Sequence, residues 1–246
     1  MIITINAKSC TCEPGEYLFE IAKRNGITIP TLCHHHGLPG QGCCRVCLVE
    51  VEIDDRRSIV TACVYPVERE CVVYTESDRV VEQRRIVLSM LSAFAPESDE
   101  VARLCEVYVA PEHERFFRRD GEKCILCGLC VKACESLGTG AISTINRGIE
   151  KAVSTPYNEL SVVCVGCASC AKVCPVGAIE VIEEKKTRTI WKKTFPLLVC
   201  KKCGSTIGTL MEIKRASQKA EVEVSALCDA CKKKLVTDVM ASAFGR

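Results

Sequence analysis

Residues 124–134 read CILCGLCVKAC, and residues 164–175 read CVGCASCAKVCP. Both runs have the spacing C-x2-C-x2-C-x3-C, and 29 residues separate them. Such a doubled run is typical of a chain that holds two [4Fe–4S] clusters, in which the fourth cysteine of each run binds the other cluster. Structural zinc is the alternative. A zinc site takes its four ligands as two pairs, however, and two runs of four cysteines match that pattern poorly.

This crossing rule divides the eight cysteines into two ligand sets. The first cubane is expected to bind Cys124, Cys127, Cys130 and Cys174. The second is expected to bind Cys164, Cys167, Cys170 and Cys134. A short apolar stretch follows each run, and this internal repeat predicts a two-[4Fe–4S] ferredoxin-like domain over residues 120–183. Gly128 and Gly166, beside the ligands, are expected to let backbone N–H groups approach the cluster sulfurs.

Composition sets limits on the class of protein. The chain has 246 residues, 21 of them cysteine, and only 5% aromatic residues, which favours several small metal-stabilised modules over one large core. Met1–Ile5 shows no secretory signal, and no apolar run is long enough to span a membrane. We therefore expect a cytoplasmic protein, in which reduced thiols indicate metal binding.

Charge is uneven although the net charge is only +2. Residues 183–246 carry 14 Lys and Arg against 7 Asp and Glu. This basic segment is interpreted as a solvated face, with a nucleic-acid surface as the less favoured alternative.

Residues 1–78 predict a small α+β domain. Residues 1–6 alternate apolar and polar as a strand does, and a second strand is expected near residues 8–13. Leu18, Ile21 and Ala22 share one helical face, and Gly26 suits the end of that helix. A glycine- and proline-rich loop then leads into the cysteines and a further strand, which is the element order of a β-grasp [2Fe–2S] ferredoxin.

Four cysteines of this domain have the spacing C-x10-C-x2-C-x15-C, which departs from the plant-type ferredoxin. Together with Pro30, Gly42 and the string CRVCLVEV at residues 44–51, they resemble the N-terminal [2Fe–2S] domain of the large iron–sulfur subunit of respiratory NADH dehydrogenase. The same domain opens multi-cluster [FeFe]-hydrogenases and the diaphorase subunits of NAD-reducing hydrogenases. The expected [2Fe–2S] ligands are Cys33, Cys44, Cys47 and Cys63.

Other histidines and cysteines flank these positions. His34, His35 and His36 could replace thiolates as in Rieske centres, but four cysteines already suffice, so the favoured interpretation is that they cover the cluster edge. Five cysteines fit no motif and are interpreted as small buried apolar residues: Cys10, Cys12, Cys43, Cys71 and Cys105. Of these, Cys43 is expected to point away from the iron.

Residues 79–119 predict a helical linker. One helix is expected from Asp78 to about Phe94, and a weaker one over residues 99–109. In the families resembled, this region usually carries a [4Fe–4S] site with one histidine and three cysteines. Here it offers only Cys105 and His113, so that cluster is predicted to be absent and the N-terminal cluster must reach the central pair by another packing.

Residues 184–246 carry two CxxC pairs with the spacing C-x2-C-x24-C-x2-C. Four thiolates in this arrangement predict a zinc-ribbon-like module, with rubredoxin-like iron or a further cluster as alternatives. The expected metal ligands are Cys200, Cys203, Cys228 and Cys231. Ile190, Trp191, Phe195 and residues 197–199 are expected to pack this ribbon as core residues, with partner binding as the less favoured alternative.

The resemblance covers about residues 1–182 and includes the ferredoxin region of [FeFe]-hydrogenases. It implies a non-catalytic electron-transfer subunit with one [2Fe–2S] and two [4Fe–4S] clusters, hence about ten irons per chain. The C-terminal CxxC pairs add an expected zinc ion. Implied partners are a flavin-containing NADH dehydrogenase-type subunit and a hydrogenase or formate dehydrogenase, in an electron-bifurcating complex. The alternatives are a redox-sensing module that binds nucleic acid through a basic zinc ribbon, and a stand-alone ferredoxin-like carrier.

Overall fold

The computed structural model describes residues 1–112, 115–221 and 225–244. The fold is mixed α+β, with small sheets and short helices arranged around three apolar cores. Among the described residues, no helix is long and apolar enough to cross a membrane.

The N-terminal part is built on a five-stranded mixed sheet. Its strands are β1 Ile2–Ile5, β2 Lys8–Thr11, β4 Leu48–Ile53, β5 Arg56–Thr61 and β7 Val72–Tyr74, in the order β2-β1-β7-β4-β5. Only the central pair β1 and β7 is parallel. A second ribbon pairs β3 Glu16–Tyr17 with β6 Pro66–Val67.

One helix, α1 Leu18–Arg24, covers this sheet. Its buried side chains are Leu18, Phe19, Ile21 and Ala22, which confirms the predicted apolar face. They pack against Ile3 and Ile5, the inward-facing positions of the alternating strand β1.

The linker consists of α2 Asp78–Phe94 and α3 Asp99–Tyr108, as the periodicity predicts. Each helix begins at a serine N-cap: Ser77 accepts from the Val80 N–H, and Ser98 accepts from the Val101 N–H. These caps set where both helices start. The two helices also pack against each other, and they lie beside the cysteine loop.

A fully buried arginine attaches α2 to that loop. The Arg84 guanidinium donates to the carbonyl oxygens of Val46 at 3.0 Å, Leu48 at 2.8 Å and Thr75 at 3.1 Å, and it pairs with Glu76 at 2.8 Å. Since Val46 lies between two cysteines of the loop, this side chain links the helical linker to the N-terminal cysteine site.

The central part repeats one unit, as predicted. Each cysteine run ends in a short helix, α4 Leu129–Ser136 in the first and α5 Ser169–Lys172 in the second, and the two helices pack together. Each is entered from a residue with a left-handed backbone, at φ 78° for Gly128 and 59° for Ala168. A small hairpin of β8 Ser143–Ile145 and β9 Ala152–Ser154 lies between the runs.

The C-terminal part begins with an antiparallel sheet. Its strands are β10 Ile182–Glu183, β11 Thr187–Ile190, β12 Lys193–Val199 and β13 Thr206–Thr209. Helices α6 Leu210–Ala220 and α7 Asp229–Phe244 follow. The second CxxC pair therefore opens a helix and does not close a second hairpin, so only the first pair has the form expected of a ribbon.

The packing of this sheet differs from expectation. Ile190 and Phe195 are buried against cysteines of the central part, including Cys130 and Cys170, and Trp191 packs on the same core. Ile190 and Phe195 are core residues, as expected, but together with Trp191 they pack on the central part and not on the ribbon alone, because the sheet uses its apolar face to cover the second cysteine run.

Candidate functional site

The four cysteines proposed from the N-terminal motif converge in one buried place. They are Cys33, Cys44, Cys47 and Cys63, all at most 5% exposed. The Cys44 N–H donates to the Cys33 sulfur at 3.4 Å, and the Ala62 N–H donates to the Cys47 carbonyl at 3.0 Å, which joins the end of β5 to the loop. A hydrogen bond with the Cys63 thiol lowers the pKa of Cys47, against the opposing effect of burial.

Cys43 differs from its expected role. It is an exposed residue, and its thiol donates to the carbonyl of Cys127 at 3.3 Å, in the first run of the central part. Hydrogen bonds with the thiols of Cys43 and then Cys44 lower the pKa of Cys33 to about 6. The interpretation of Cys43 as a buried apolar residue is therefore wrong; nothing in its spacing signals a contact 84 residues away.

The remaining unassigned cysteines fit the expectation better. Cys10, Cys12 and Cys71 are buried within the N-terminal core. Cys105 is half-buried in α3, and its thiol donates to the Leu88 carbonyl at 3.6 Å. His113, the other residue weighed for a linker cluster, lies outside the described residues.

The histidines after Cys33 have protein partners. His34 Nε2 lies 3.0 Å from a Glu20 carboxylate oxygen, and its ring packs on Phe19 with centroids 4.4 Å apart. Burial lowers the pKa of His34. His35 and His36 stack on each other, with ring centroids 4.6 Å apart. These contacts engage His34 with protein partners; that the three histidines cover the cluster edge stays a prediction.

Two cavities in the central part carry the cysteines in crossed sets. A cavity of about 130 Å³ is lined by Cys124, Cys127, Cys130 and Cys174. A smaller cavity of about 20 Å³ is lined by Cys134, Cys164, Cys167 and Cys170. In each cavity, three cysteines come from one run and the fourth from the other, which is the grouping that the spacing predicts.

Backbone N–H groups point at the fourth cysteine of each run. The Ala141 N–H donates to the Cys134 sulfur at 3.2 Å, and the Ala178 N–H donates to the Cys174 sulfur at 3.3 Å. Both alanines stand in the repeated tripeptide Gly-Ala-Ile after the runs. Sequence reasoning noted this repeat but not its use; N–H groups that face cluster sulfurs stabilise the reduced state.

Burial dominates the electrostatics of these thiols. It raises the pKa of Cys127 and of Cys130 to about 12. For Cys164 burial also raises the pKa, while hydrogen bonding from the Gly166 backbone acts against it, as expected for a glycine beside a ligand. Iron binding must therefore displace protons from buried thiols, so loading depends on pH.

The Phe195 ring leaves no space for a side chain at Gly166. Its φ is +72°, and a Cβ there would lie 2.6 Å from the Phe195 ring. Gly166→Ala is expected to lower the stability of the central part by about 1–3 kcal/mol and to release iron from the second cavity. Guanidinium unfolding and iron analysis of anaerobic protein test this effect.

Gly177→Ala is the matched control, because its φ is +60° but a Cβ would meet nothing within 4 Å. This control should show only the smaller cost of a left-handed backbone. Equal losses in the two variants would show that the Phe195 contact is unimportant.

The C-terminal cysteines form a tighter group. The sulfurs of Cys200, Cys203, Cys228 and Cys231 all lie within 4.8 Å of one another, and those of Cys203 and Cys228 are 3.6 Å apart. A tetrahedral zinc ion with Zn–S bonds of about 2.3 Å separates its sulfurs by roughly 3.8 Å. Hydrogen bonding from the Cys228 backbone, then from Cys203 and Lys202, lowers the pKa of Cys200 to about 6, which favours the thiolate. The group can hold a single metal ion.

Comparison with known protein families gives matches over two stretches of the chain. Residues 1–78 match the family described as the 2Fe-2S iron-sulfur cluster binding domain. Residues 118–181 match the family described as the 4Fe-4S dicluster domain.

Several curated proteins are similar over most of this chain. The NADP-reducing hydrogenase subunit HndD of Solidesulfovibrio fructosivorans is 33% identical over 73% of this chain and 36% of its own length. An NADH-quinone oxidoreductase subunit of Rhizobium meliloti is 30% identical over 82% of this chain and 26% of its own length. A putative formate dehydrogenase of Staphylococcus haemolyticus is 26% identical over 73% of this chain and 20% of its own length.

A solved structure matches as well. One chain of the crystal structure of an NAD⁺-reducing [NiFe]-hydrogenase in the H₂-reduced state superposes with a TM-score of 0.61 and 28% identity, covering 72% of this chain and 85% of that chain. By contrast, this chain spans only a fifth to about a third of the curated relatives named above. The chain thus contains a 2Fe-2S iron–sulfur domain and a 4Fe-4S dicluster domain, and it is distantly homologous to HndD, to the N-terminal part of the NADH-quinone oxidoreductase relative and to subunits of NAD-reducing hydrogenases.

Proposed function

We propose that this chain relays single electrons through three iron–sulfur clusters between other subunits of an oxidoreductase. The [2Fe–2S] cluster is assigned to Cys33, Cys44, Cys47 and Cys63. The first [4Fe–4S] cluster is assigned to Cys124, Cys127, Cys130 and Cys174. The second is assigned to Cys164, Cys167, Cys170 and Cys134. These clusters supply the electron chemistry, while the protein sets their spacing and potentials.

One observation carries the proposal: the N-terminal cysteine loop and the first central run share a single apolar core. Cys33, Cys44, Ile125 and Cys127 all belong to this core. The hydrogen bond from Cys43 to the Cys127 carbonyl crosses the same boundary, and Cys43 is covalently bonded to Cys44. A short path of bonds thus connects a proposed ligand of one cluster to a proposed ligand of the next.

The linker helices stand beside this junction. Leu88 of α2 and Val101 and Leu104 of α3 belong to the same core and pack where the two loops meet. The two loops touch here, which supports the proposal that the N-terminal cluster reaches the central pair through this packing; the absence of a linker cluster stays a prediction. The crossed lining of the two cavities then extends the path to the second cubane.

The partners are proposed from the relatives. Those relatives are named as subunits of an NADP-reducing hydrogenase and an NADH-quinone oxidoreductase and as a putative formate dehydrogenase. We propose a flavin-containing NADH dehydrogenase-type subunit at one end of the relay and a hydrogenase or formate dehydrogenase at the other, in an electron-bifurcating complex. We place this complex in the cytoplasm, where cysteines remain reduced.

The C-terminal group is proposed to hold zinc. Its sulfurs are close enough for one tetrahedral ion, whereas a cluster divides the four thiolates among two or four irons and spreads the sulfurs further apart. Zinc is redox-silent, so we assign this site a structural role outside the electron path.

Replacing Cys44 in the native assembly tests the relay. Cys44→Ser is expected to lower the iron content from about ten to about eight per chain, to leave zinc at about one, and to slow reduction of the cubanes by NADH by a large factor. Dithionite should still reduce them. Freeze-quench EPR and metal analysis provide these readouts.

Cys43→Ser is the control, since it changes the neighbouring thiol but no proposed ligand. It should keep all ten irons. If the Cys44 variant retained the [2Fe–2S] signal and the Cys43 variant lost it, the ligand assignment would be wrong. If NADH still reduced the cubanes at the normal rate without the [2Fe–2S] cluster, the order of the relay would be wrong.

A further inference from the structure

We propose that the C-terminal sheet raises the reduction potential of the second cubane, with Trp191 and Lys193 as the positioning residues. The inference rests on the proposed function, because it presumes a cluster held by Cys164, Cys167, Cys170 and Cys134. It goes beyond that function by giving the C-terminal module a role in electron transfer although its own metal site is redox-silent.

Trp191 touches the second ligand set directly. Its indole N–H donates to the sulfur of Cys170 at 3.5 Å. The same side chain lines both central cavities, so it lies at the boundary between the two proposed cubanes. A hydrogen bond to a ligand sulfur is stronger when the cluster carries an additional electron, and it therefore favours the reduced state.

Lys193 places a positive charge beside the same run. Its ammonium donates to the carbonyls of Ser161 at 2.8 Å and Cys164 at 3.3 Å, and it lies 5.0 Å from the centre of the Phe195 ring. In the described part of the chain it makes no ion pair. A cation next to a ligand backbone stabilises the negative charge gained on reduction.

Further contacts hold the sheet in this place. Arg188 donates to the Gly166 carbonyl at 2.8 Å, and the Thr209 hydroxyl donates to the Val165 carbonyl. The charge of Arg188 is already balanced by Glu183 at 2.6 Å, which leaves Lys193 as the uncompensated cation of the sheet at this loop. Three side chains thus bind consecutive backbone carbonyls of residues 164–166, a segment that also supplies the first ligand of the run.

An EPR-monitored redox titration of the full-length protein tests the inference. Trp191→Phe and Lys193→Met are each expected to lower the midpoint potential of the second cubane by about 59 mV, equivalent to a tenfold lower ratio of reduced to oxidised cluster at a fixed potential. The second cubane is identified as the signal lost in Cys167→Ser. The [2Fe–2S] potential should not move.

Two variants separate tuning from folding. Lys193→Arg keeps the charge and should restore the potential, whereas Lys192→Met removes an exposed neighbouring charge and should leave it unchanged. Unchanged potentials in Trp191→Phe and Lys193→Met, with all clusters present, would overturn this inference alone. Absence of the second cubane from the unmodified protein would instead overturn the proposed function.

Discussion

Cys174→Ser is expected to remove the same four irons as Cys127→Ser, although the two residues stand in different runs. Cys174 lines the cavity of the first run, and the Ala178 N–H already points at its sulfur. Losing one of four thiolates leaves an iron of the cubane without its protein ligand, so the iron content should fall from about ten to about six per chain. Iron analysis and EPR of anaerobically prepared protein measure the loss.

The pairing of variants makes this test specific. Cys174→Ser should match Cys127→Ser in the signal that disappears, and Cys134→Ser should match Cys167→Ser. If Cys174→Ser instead matched Cys167→Ser, each run would hold its own cubane and the crossed assignment would fail.

Arg84→Leu is expected to lower the stability of the protein by about 3–5 kcal/mol, because it removes a fully buried charge whose partners stay in place. The carbonyls of Val46, Leu48 and Thr75 would lose their donor inside the core. Since Val46 lies between Cys44 and Cys47, the [2Fe–2S] absorbance should disappear at a lower guanidinium concentration than in the unmodified protein. Far-UV circular dichroism recorded in parallel reports the backbone.

Arg103→Leu is the matched control for this change. Arg103 also lies on a linker helix, but its side chain is 57% exposed and, among the residues that the structure describes, forms an ion pair only with Glu100 on the same helix. Its removal should leave the unfolding midpoint almost unchanged. Equal midpoints in the two variants would show that the buried guanidinium does not hold the cysteine loop in place.

Local patterns in the sequence predicted much of this molecule. Helix α2 begins and ends where the periodicity places it, at Asp78 and Phe94, because serine caps and apolar spacing act within a few residues. The crossed grouping of the central cysteines was also predictable, since cluster ligation imposes its own spacing on the chain.

What escaped prediction depends on contacts between distant residues. Cys43 meets Cys127 across 84 positions, Arg84 meets Val46 across 38, and Trp191 meets Cys170 across 21. None of these residues carries a local signal, because each contact exists only once separate modules have packed. The arrangement of the C-terminal module was not predicted for the same reason. The 24 residues between its CxxC pairs contain helix α6, and the apolar face of its sheet covers the central part.

The crossed cavities also constrain when the protein can mature in the cell. With the ligand sets proposed above, the nascent chain completes its [2Fe–2S] site once Cys63 has been synthesised, but neither cubane site is complete until the ribosome has passed Cys170 and Cys174. Insertion of both cubanes must therefore await translation of the second run. A truncated product that ends between the two runs would leave both cubane sites short of at least one thiolate.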